Sequence, residues 1–507
     1  MSSLIPVVLA TLGAVAMALA FPRLNAVALA PVGAAALFWA WFRMSPKRAF
    51  WTGWLAGTVY FAITFWWFAE TAGALIAPFG FLLALGPAVG DAFFQFALGG
   101  FFIALAARAL GDARRANRAL VPLASAAIVA FLEWLRSEGL GEIGVPFGSL
   151  GFTQVRTPLA PLAAYAGTYG VTFAVCAIGA YLAYAIRMRG VRGSGVDALA
   201  GAGAIVIAAA LAWTFWPART LAAPTVRVAA IQGNIAQSLK FKPGSLERAI
   251  ATYTLLTREA ATARPSLVVW PETVIPVNFA RAPELRAQFA ALARAIHAEL
   301  AIGTFDVEAD GEYNVLAFDN ASGTPDGAFY RKRRLVPFAE HVPWRPLFAW
   351  IPWIANVSNF SEGSGDVVVS AGGERFAPLI CWESAFAGLG VGAARDGAGA
   401  LIVATDDAWF GTTAGPYQHA EIAQMRALET GRWIVRAAST GISGIIAPDG
   451  RFTHASRLDE TAIVTGDVGP PAPTLFARIG PEPIAALFAL LYAAIVAAAW
   501  PRGARRA

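Results

Sequence analysis

Eight apolar runs, most of them close to twenty residues long, dominate this sequence. They cover residues 4–21, 25–42, 50–68, 81–107, 119–134, 159–186, 196–216 and 483–500. An α-helix needs roughly twenty apolar residues to cross the hydrocarbon core of a bilayer. The hydrophobic fraction of 57% and the charged fraction of only 14% support the same interpretation, because soluble proteins are more polar. The sequence therefore predicts a membrane domain with eight transmembrane helices.

Basic residues alternate between the loops that join these runs. Thirteen arginine and lysine residues follow the second, fourth, sixth and eighth runs, whereas three lie in the alternate short loops. Short cytoplasmic loops retain positive charge, so we expect both termini in the cytoplasm and residues 217–478 outside it. The first run lacks a charged start and a small-residue cleavage site, and we expect it to remain as a span. The clustered net charge of +6 fits anionic lipid headgroups, and no aromatic-interleaved basic patch predicts nucleic-acid binding.

The long segment between the seventh and eighth runs has a different pattern. Short β-rich runs alternate there with amphipathic helical stretches. We predict strands at residues 226–231, 266–270, 300–307, 313–319, 400–404, 432–438 and 441–447, and helices at 245–263, 283–299 and 417–430. The chain is thus expected to consist of a seven-span domain (1–216), an α/β domain (217–478), and a segment (479–507) with the eighth span and a basic tail.

Three polar side chains stand at the ends of predicted strands in the α/β domain. Glu272 follows Val-Val-Trp-Pro, Lys332 lies in Tyr-Arg-Lys-Arg-Arg, and Cys381 follows the apolar run 376–380. A carboxylate can accept the thiol proton, an ammonium can stabilise an oxyanion, and the thiolate can attack a carbonyl. Each residue alone has another interpretation: a helix cap or surface carboxylate, a solvated basic face, and core packing, respectively. Their combination favours acyl transfer. Because the chain has only four lysines against 35 arginines, a lysine at position 332, among arginines, favours a specific role for its ammonium group.

The order of these residues and their neighbours resembles a known family. Trp270-Pro271-Glu272, Lys332 and Cys381-Trp382-Glu383 are similar to the Glu-Lys-Cys triad of the nitrilase superfamily. The eight runs, together with the phrases at 232–235, 335–338 and 407–411, resemble the apolipoprotein N-acyltransferase family over essentially the whole chain. The resemblance implies a four-layer αββα sandwich for the α/β domain. It also implies a bacterial inner-membrane enzyme whose catalytic domain lies on the periplasmic side.

The resemblance further implies a two-step reaction. Cys381, activated by Glu272, would attack an acyl ester of a membrane phospholipid, typically phosphatidylethanolamine, and release a lysophospholipid. The α-amine of the diacylglyceryl-cysteine at the N-terminus of an apolipoprotein would then take the acyl group from the thioester. Lys332 and the backbone N–H of Trp382 would hold the oxyanion. Glu340 and Glu383 match further family carboxylates and would orient groups or balance charge, unless they are surface carboxylates.

The sequence departs from the family at several positions. Phe241 stands where the family commonly has tryptophan, Ala339 replaces a glycine, and Asp406 replaces an asparagine. Phe241 retains an aromatic surface without the indole donor, so the departure concerns substrate contact. Asp406 adds a charge whose role the sequence does not explain.

Aromatic residues near these motifs suggest where lipid binds. The run at 341–360 is rich in tryptophan and interrupted by proline, and we interpret it as a lid that enters the outer-leaflet interface. A buried loop of the α/β domain is the alternative. The loop 144–149 lies on the same side and could line a lipid entry. The residues that we expect to contact substrate are Phe241, Phe338, Trp350, Trp353 and Trp409.

The sequence predicts no metal, nucleotide cofactor or disulfide. The four histidines, at positions 297, 341, 419 and 454, do not have metal-ligand spacing. His419 could lie near the site, where structural use is favoured over a Cys-His dyad. Cys176 lies in an apolar run, unlike Cys381, so no disulfide is expected between them.

Two other functions are compatible with part of the pattern. A membrane-tethered amidase or nitrilase would use the same triad with water as acceptor, although a soluble amide substrate needs no such membrane domain. A non-catalytic lipid-binding or transport protein would need ionisable residues in its spans. Glu70, Asp91 and Glu133 are the candidates, and they are few for an ion path.

Overall fold

The computed structural model describes residues 4–75, 80–111, 119–189, 193–220, 223–240, 242–319, 328–351, 354–355 and 357–499. Two compact units divide the chain. One comprises Met1–Trp216 with Ile479–Ala507, and the other comprises Pro217–Arg478.

The α-helices are numbered here in chain order. They are α1 (Ile5–Ala18), α2 (Leu29–Trp41), α3 (Pro46–Thr64), α4 (Trp66–Leu75), α5 (Gly80–Ala92), α6 (Leu98–Gly111), α7 (Val121–Trp134), α8 (Ala163–Arg187), α9 (Ser194–Thr214), α10 (Ser245–Ala260), α11 (Pro283–Ile296), α12 (Arg345–Phe348), α13 (Ala387–Arg395), α14 (Gly415–Thr430), α15 (Leu475–Ile479) and α16 (Pro481–Ala499). Helices α1–α9 and α16 belong to the first unit, and α10–α14 to the second. Two π-helical segments, Phe93–Ala97 and Leu135–Gly139, extend α5 and α7.

The membrane-spanning prediction is supported in part. Helices occupy all eight apolar runs, and within the described residues four are long and apolar enough to cross a bilayer: Leu85–Leu110, Ala160–Arg187, Gly195–Thr214 and Pro481–Ala498. Helices α1 and α2 have 14 and 13 residues, which is shorter than a straight span requires. The basic tail after residue 499 lies outside the described residues.

Small residues allow close packing in the helical unit. A Cβ atom on Gly13 would collide with the backbone oxygen of Gly33, and the reverse collision occurs for Gly33. Close backbone approach at small residues is typical of helix packing in membranes. Glycine at positions 13 and 33 therefore allows the backbones of α1 and α2 to approach closely.

Buried charged residues of the helical unit hold a loop. Arg136 lies 3.2 Å from Asp91 and donates to the carbonyl of Phe147 at 3.0 Å. Glu133 accepts a hydrogen bond from the backbone N–H of Leu150 at 2.9 Å. These bonds order the loop 144–149, which could line a lipid entry. Such use of Asp91 and Glu133 weakens the transport interpretation, and the side chain of Glu70 lies outside the described part of the structure.

The second unit contains two β-sheets. Its strands are β1 (Val226–Gln232), β2 (Leu267–Val269), β3 (Ile275–Asn278), β4 (Glu299–Glu308), β5 (Gly311–Asp319), β6 (Phe329–Arg331), β7 (Val369–Ala371), β8 (Glu374–Ile380), β9 (Ala400–Thr405), β10 (Trp433–Ala438), β11 (Gly444–Ile446), β12 (Phe452–Ala455) and β13 (Ala462–Val468). The first sheet has the order β13-β1-β2-β4-β5-β6, with β3 beside β4, and the second has the order β12-β11-β10-β9-β8-β7. In each sheet three adjacent strands, β1-β2-β4 and β8-β9-β10, run parallel.

The two sheets pack face to face between two helical layers. Val269 and Leu316 of the first sheet share a buried core with Ile402 and Val435 of the second. Helices α10 and α11 cover the outer face of the first sheet, and α13 and α14 cover that of the second. Since successive side chains of a strand point to opposite faces, strands buried on both faces are apolar throughout. The observed order is the four-layer αββα sandwich that the resemblance implied.

Candidate active site

The predicted catalytic residues lie in loops after strands of both sheets. Glu272 follows β2 and Lys332 follows β6 in the first sheet, whereas Cys381 follows β8 in the second. The structure brings these three side chains together at one end of the sandwich. This placement agrees with the tendency of α/β domains to build sites beyond the carboxyl ends of parallel strands.

Cys381 occupies a sharp turn between β8 and a short 3₁₀ helix, Cys381–Ala385. Its φ angle is +51°, which is uncommon for a residue with a side chain. Such strain persists only where neighbouring contacts enforce it. The thiol is half-buried. The turn therefore presents a thiol that is partly shielded from bulk water and oriented by the backbone.

Glu272 and Lys332 form a buried ion pair. Lys332 Nζ lies 3.0 Å from Glu272 Oε1 and 2.9 Å from Glu340 Oε1. Asn314 on β5 donates to the same two oxygens, at 2.7 and 3.0 Å. The backbone N–H of Asp406 donates to Glu272 Oε2 at 2.9 Å. Both oxygens of Glu272 are therefore fixed by donors from different segments.

The charges at the site shift the pKa of Glu272 downward and those of Lys332 and Cys381 upward. Burial raises the pKa of Glu272, but the charge of Lys332 and the hydrogen bonds outweigh burial, so the pKa lies below its ordinary value. Burial lowers the pKa of Lys332, whereas Glu272, Glu340 and Cys381 raise it well above the ordinary value. Burial raises the pKa of the Cys381 thiol, Glu272 raises it further, and Lys332 opposes them. The resting arrangement is thus an ionised base, a cationic lysine and a protonated thiol.

Glu340 joins the site through Lys332. Its Oε1 contacts Lys332 and Asn314, and its Oε2 accepts from the backbone N–H of Val336 at 2.8 Å. With two carboxylates beside it, Lys332 keeps its charge and its position. Glu340 is therefore suited to orient Lys332 rather than to react.

Glu383 is fully buried and connects two loops. Its carboxylate accepts hydrogen bonds from the backbone N–H groups of Ile380 at 2.6 Å and Arg333 at 2.6 Å. The Tyr330 hydroxyl donates to it at 2.9 Å. Ile380 precedes Cys381 and Arg333 follows Lys332, so Glu383 ties the cysteine turn to the lysine loop. Buried hydrogen bonds to a charged acceptor are stronger than neutral ones.

His419 contacts the backbone of Cys381. Its Nε2 lies 3.1 Å from the carbonyl oxygen of Cys381 and 3.0 Å from Ser384 Oγ, while its Nδ1 lies 2.9 Å from Asp407. Burial raises the pKa of Asp407, but Arg436 and His419 lower it to about 2. The contact at the carbonyl favours the structural role over the Cys-His dyad.

The remaining predicted residues occupy varied environments. Phe338 is 37% exposed and meets the Phe348 ring edge-on, whereas Trp350 is 79% exposed. Trp382 is buried against Phe386. Trp409 is half-buried in the short 3₁₀ helix Asp407–Phe410. Phe241 and Trp353 lie outside the described residues.

Asn314 is the main site residue that sequence reasoning missed. It lies within β5 and is buried, with apolar residues after it in the strand. A polar amide in a buried strand requires hydrogen-bond partners. An asparagine within this largely apolar strand is therefore the sequence feature that indicates a role at the site. Within the described residues, no group of three His, Cys, Asp or Glu side chains is placed to hold a metal ion.

Comparison with known proteins agrees with the sequence resemblance. A model of the carbon-nitrogen hydrolase family matches residues 227–471, and a model of the apolipoprotein N-acyltransferase N-terminal domain matches residues 13–181. Among solved structures, Saccharomyces cerevisiae Nit3, a member of branch 10 of the nitrilase superfamily, is 19% identical. The match has a TM-score of 0.38 and covers 49% of this chain and 91% of that chain.

Two curated relatives extend the comparison along the chain. The apolipoprotein N-acyltransferase of Azotobacter vinelandii is 34% identical over 468 residues, which cover 88% of this chain and 86% of the relative. That of Pseudomonas syringae pv. tomato is 33% identical over 480 residues, which cover 90% of each. With identity of this degree along nearly its whole length, the chain belongs to the apolipoprotein N-acyltransferase family.

Proposed function

We propose that this chain transfers an acyl group from a membrane phospholipid to the N-terminal α-amine of a diacylated apolipoprotein, through a thioester on Cys381. The observation that supports this most directly is the strained turn at Cys381, beside a buried pair of Glu272 and Lys332. Both charges are close enough to shift the pKa of the thiol. An ionised base, a fixed cation and a shielded thiol are the groups that acyl transfer requires.

In the first half-reaction, Glu272 accepts the thiol proton as the sulfur attacks the ester carbonyl of the phospholipid. Lys332 and the backbone N–H of Trp382 stabilise the negative oxygen of the tetrahedral intermediate. The carbon–oxygen bond then breaks, and Glu272 returns the proton to the departing lysophospholipid. The acyl group remains on Cys381 as a thioester.

In the second half-reaction, the α-amine of the apolipoprotein cysteine attacks the thioester carbonyl. Glu272 accepts a proton from the attacking amine, and the same donors stabilise the oxyanion. The carbon–sulfur bond breaks, Cys381 recovers a proton, and the product is an amide. Because one base serves both steps, Glu272 must begin each of them ionised.

The family resemblance supports further detail of substrate and location. Phosphatidylethanolamine is the proposed donor, and the bacterial inner membrane is the proposed location. We infer eight spans with both termini in the cytoplasm and residues 217–478 in the periplasm. Single cysteines introduced into the loops of a cysteine-free variant, labelled with a membrane-impermeant reagent, would test this topology.

The pH dependence of acylation follows from the direction of the pKa shifts. A carboxylate whose pKa is lowered stays ionised until the pH falls below its ordinary titration range. We therefore expect the single-turnover rate of Cys381 acylation to stay constant from neutral to mildly acidic pH and to fall only in stronger acid. A rate that already declines between pH 7 and 5.5 would indicate a base with a raised pKa, contrary to this arrangement.

The exposed surface of α12 and of the residues directly after it is suited to the lipid interface. Leu347 and Trp350 are 68% and 79% exposed. Arg345 donates to the carbonyl groups of Ile354 and Val357, at 3.1 and 3.0 Å, and so orders the base of this segment. An ordered base with an apolar tip supports the proposed lid, because tryptophan is favoured at the membrane interface.

Replacing Trp350 with serine is expected to weaken use of phospholipid in bilayers by about tenfold, because an interfacial apolar contact is lost. The measurement is the dependence of turnover on the mole fraction of phospholipid in vesicles. Leu255, which is 66% exposed on α10, provides the control substitution Leu255→Ser. Equal kinetics for both variants and the wild type would contradict the lid.

Intact-mass analysis tests the proposed function as a whole. Purified protein incubated with phospholipid should gain one acyl mass at Cys381, and a diacylated lipopeptide should remove it while gaining the same mass. Removal of the adduct by water alone would instead indicate a hydrolase. A folded preparation that never gains the adduct would favour a non-catalytic membrane protein.

A further inference from the structure

Lys240 places a second ammonium group behind the proposed catalytic base. Its Nζ lies 2.5 Å from Thr273 Oγ1 and 2.6 Å from Asp406 Oδ2. The Lys240 side chain is 10% exposed and that of Asp406 is 2% exposed. The ion pair is therefore shielded from water, where its strength and the cost of breaking it both increase.

Both partners of Lys240 are directly connected to Glu272. Thr273 is the next residue in the chain and has a φ angle of +49°, so the turn after the base is strained. Asp406 donates its backbone N–H to Glu272 Oε2 at 2.9 Å. Lys240 thus joins the two backbone segments that determine where the Glu272 carboxylate lies.

Asp406 depends on this ion pair for its charge balance. Ser439 Oγ donates to its other carboxylate oxygen at 2.5 Å, which supplies a hydrogen bond but no positive charge. A buried carboxylate without a cation is strongly destabilising. The departure from the family's asparagine at this position therefore acquires a physical explanation, since the neighbouring ammonium compensates the added charge.

We propose that Lys240 is a positioning residue for the general base, acting through Asp406 on Glu272. The proposal rests on the proposed role of Glu272 and adds a residue that does not touch the reacting atoms. Lys240 keeps the Asp406 peptide against Glu272 Oε2, while Lys332 and Asn314 hold Oε1. Without Lys240, the buried Asp406 carboxylate would lack a compensating charge and would move. Its backbone N–H would then be displaced from Glu272 Oε2.

The test compares Lys240→Met with Asp406→Asn and with the double variant. The primary measurement is the single-turnover rate of Cys381 acylation by phospholipid vesicles, followed by intact mass across a pH series. Alkylation of Cys381 by iodoacetamide is measured in parallel, since it needs the base but no lipid. Lys242, an exposed lysine two residues away, gives the matched control Lys242→Met.

The expected results are specific to a misplaced base. Lys240→Met should lower the acylation rate constant by at least tenfold, as expected for a displacement on the order of 1 Å. It should also raise the midpoint, which is the pH at which the rate falls to half its maximum on the acidic side of the pH profile. Asp406→Asn keeps the backbone N–H and introduces no unpaired carboxylate, so it should slow acylation less than Lys240→Met does, and the double variant should recover most of the loss caused by Lys240→Met. These variants leave unchanged the other charged and titratable groups that interact with Glu272, which are Lys332 and Cys381, and Glu340, which contacts Lys332.

Three outcomes would overturn the inference. One is a wild-type rate constant and midpoint in Lys240→Met. Another is a reduced amplitude with both values unchanged, which would mean only that less protein is folded. The third is a double variant as slow as Lys240→Met. If the wild type accepts no acyl group, the proposed function fails, and the alkylation rates still decide the role of Lys240.

Discussion

Serine in place of Cys381 is expected to eliminate the acyl adduct and to lower acyl transfer by at least about 10⁴-fold. The expected loss is this large because the alcohol is far less acidic than a thiol, and Glu272, whose pKa is already lowered, is too weak a base to deprotonate it. The positive φ angle at position 381 accepts serine as readily as cysteine, so the fold should persist. The measurement is intact mass after incubation with phospholipid, together with the mass gained by a diacylated lipopeptide.

Cys176 provides a matched control for this substitution. It is the other cysteine of the chain, and it is buried in α8 of the helical unit. Cys176→Ser should keep its acyl adduct and its transfer rate within about threefold of the wild type, because small polar residues are tolerated inside packed membrane helices. An adduct that survives in Cys381→Ser, or that disappears in Cys176→Ser alone, would place the nucleophile elsewhere.

Glutamine in place of Glu272 is expected to slow Cys381 acylation by about 10³-fold while leaving the protein folded. The amide keeps the size of the carboxylate, and its single oxygen can accept from Asn314 or from the Asp406 N–H, but it cannot take the thiol proton. It also removes one of the two carboxylates beside Lys332, although Glu340 remains at 2.9 Å. Because the same base is needed for both half-reactions, thioester transfer to the lipopeptide should slow as well.

Single-turnover measurements separate these two effects of Glu272→Gln. Acylation is followed with phospholipid alone, and transfer is followed after a slow accumulation of the adduct. Glu247, in the first turn of α10, gives the control Glu247→Gln, which should match the wild type. An acylation rate within tenfold of the wild type would show that another group accepts the thiol proton.

The strand ends before Glu272 and Cys381 could be predicted from the sequence, because each follows an apolar run that only a buried strand explains, whereas the strand before Lys332 has three residues and no such run. The strands β1, β4, β5, β9 and β10 were predicted for the same reason. The sequence pattern did not predict β3, β6, β7, β12 and β13. Of these, β3, β6, β7 and β12 have three or four residues, and β13 is half-exposed at the edge of its sheet. Short strands at sheet edges depend on partners far away in the chain, and local pattern contains little information about them.

The supporting contacts of the site were less predictable than the triad. Glu340 and Glu383 were expected as supporting carboxylates, but their different tasks depend on donors from other loops, such as the backbone N–H of Arg333. Asn314 reaches both Glu272 and Glu340 across a distance of tens of residues. Hydrogen bonds between distant segments are set by how the two sheets pack, and that packing has no signature in the local sequence.

The three proposed catalytic residues are divided between the two sheets, so we expect catalysis to be sensitive to a small shift of one sheet against the other. Glu272 and Lys332 extend from the first sheet and Cys381 from the second, so a shift of about 1 Å between the layers would separate base from thiol without breaking a strand. Glu383 resists that shift because one carboxylate bonds to a peptide on either side. We therefore expect activity to depend on how the two layers are aligned. A mild perturbation of the core should abolish activity while the secondary structure is still intact.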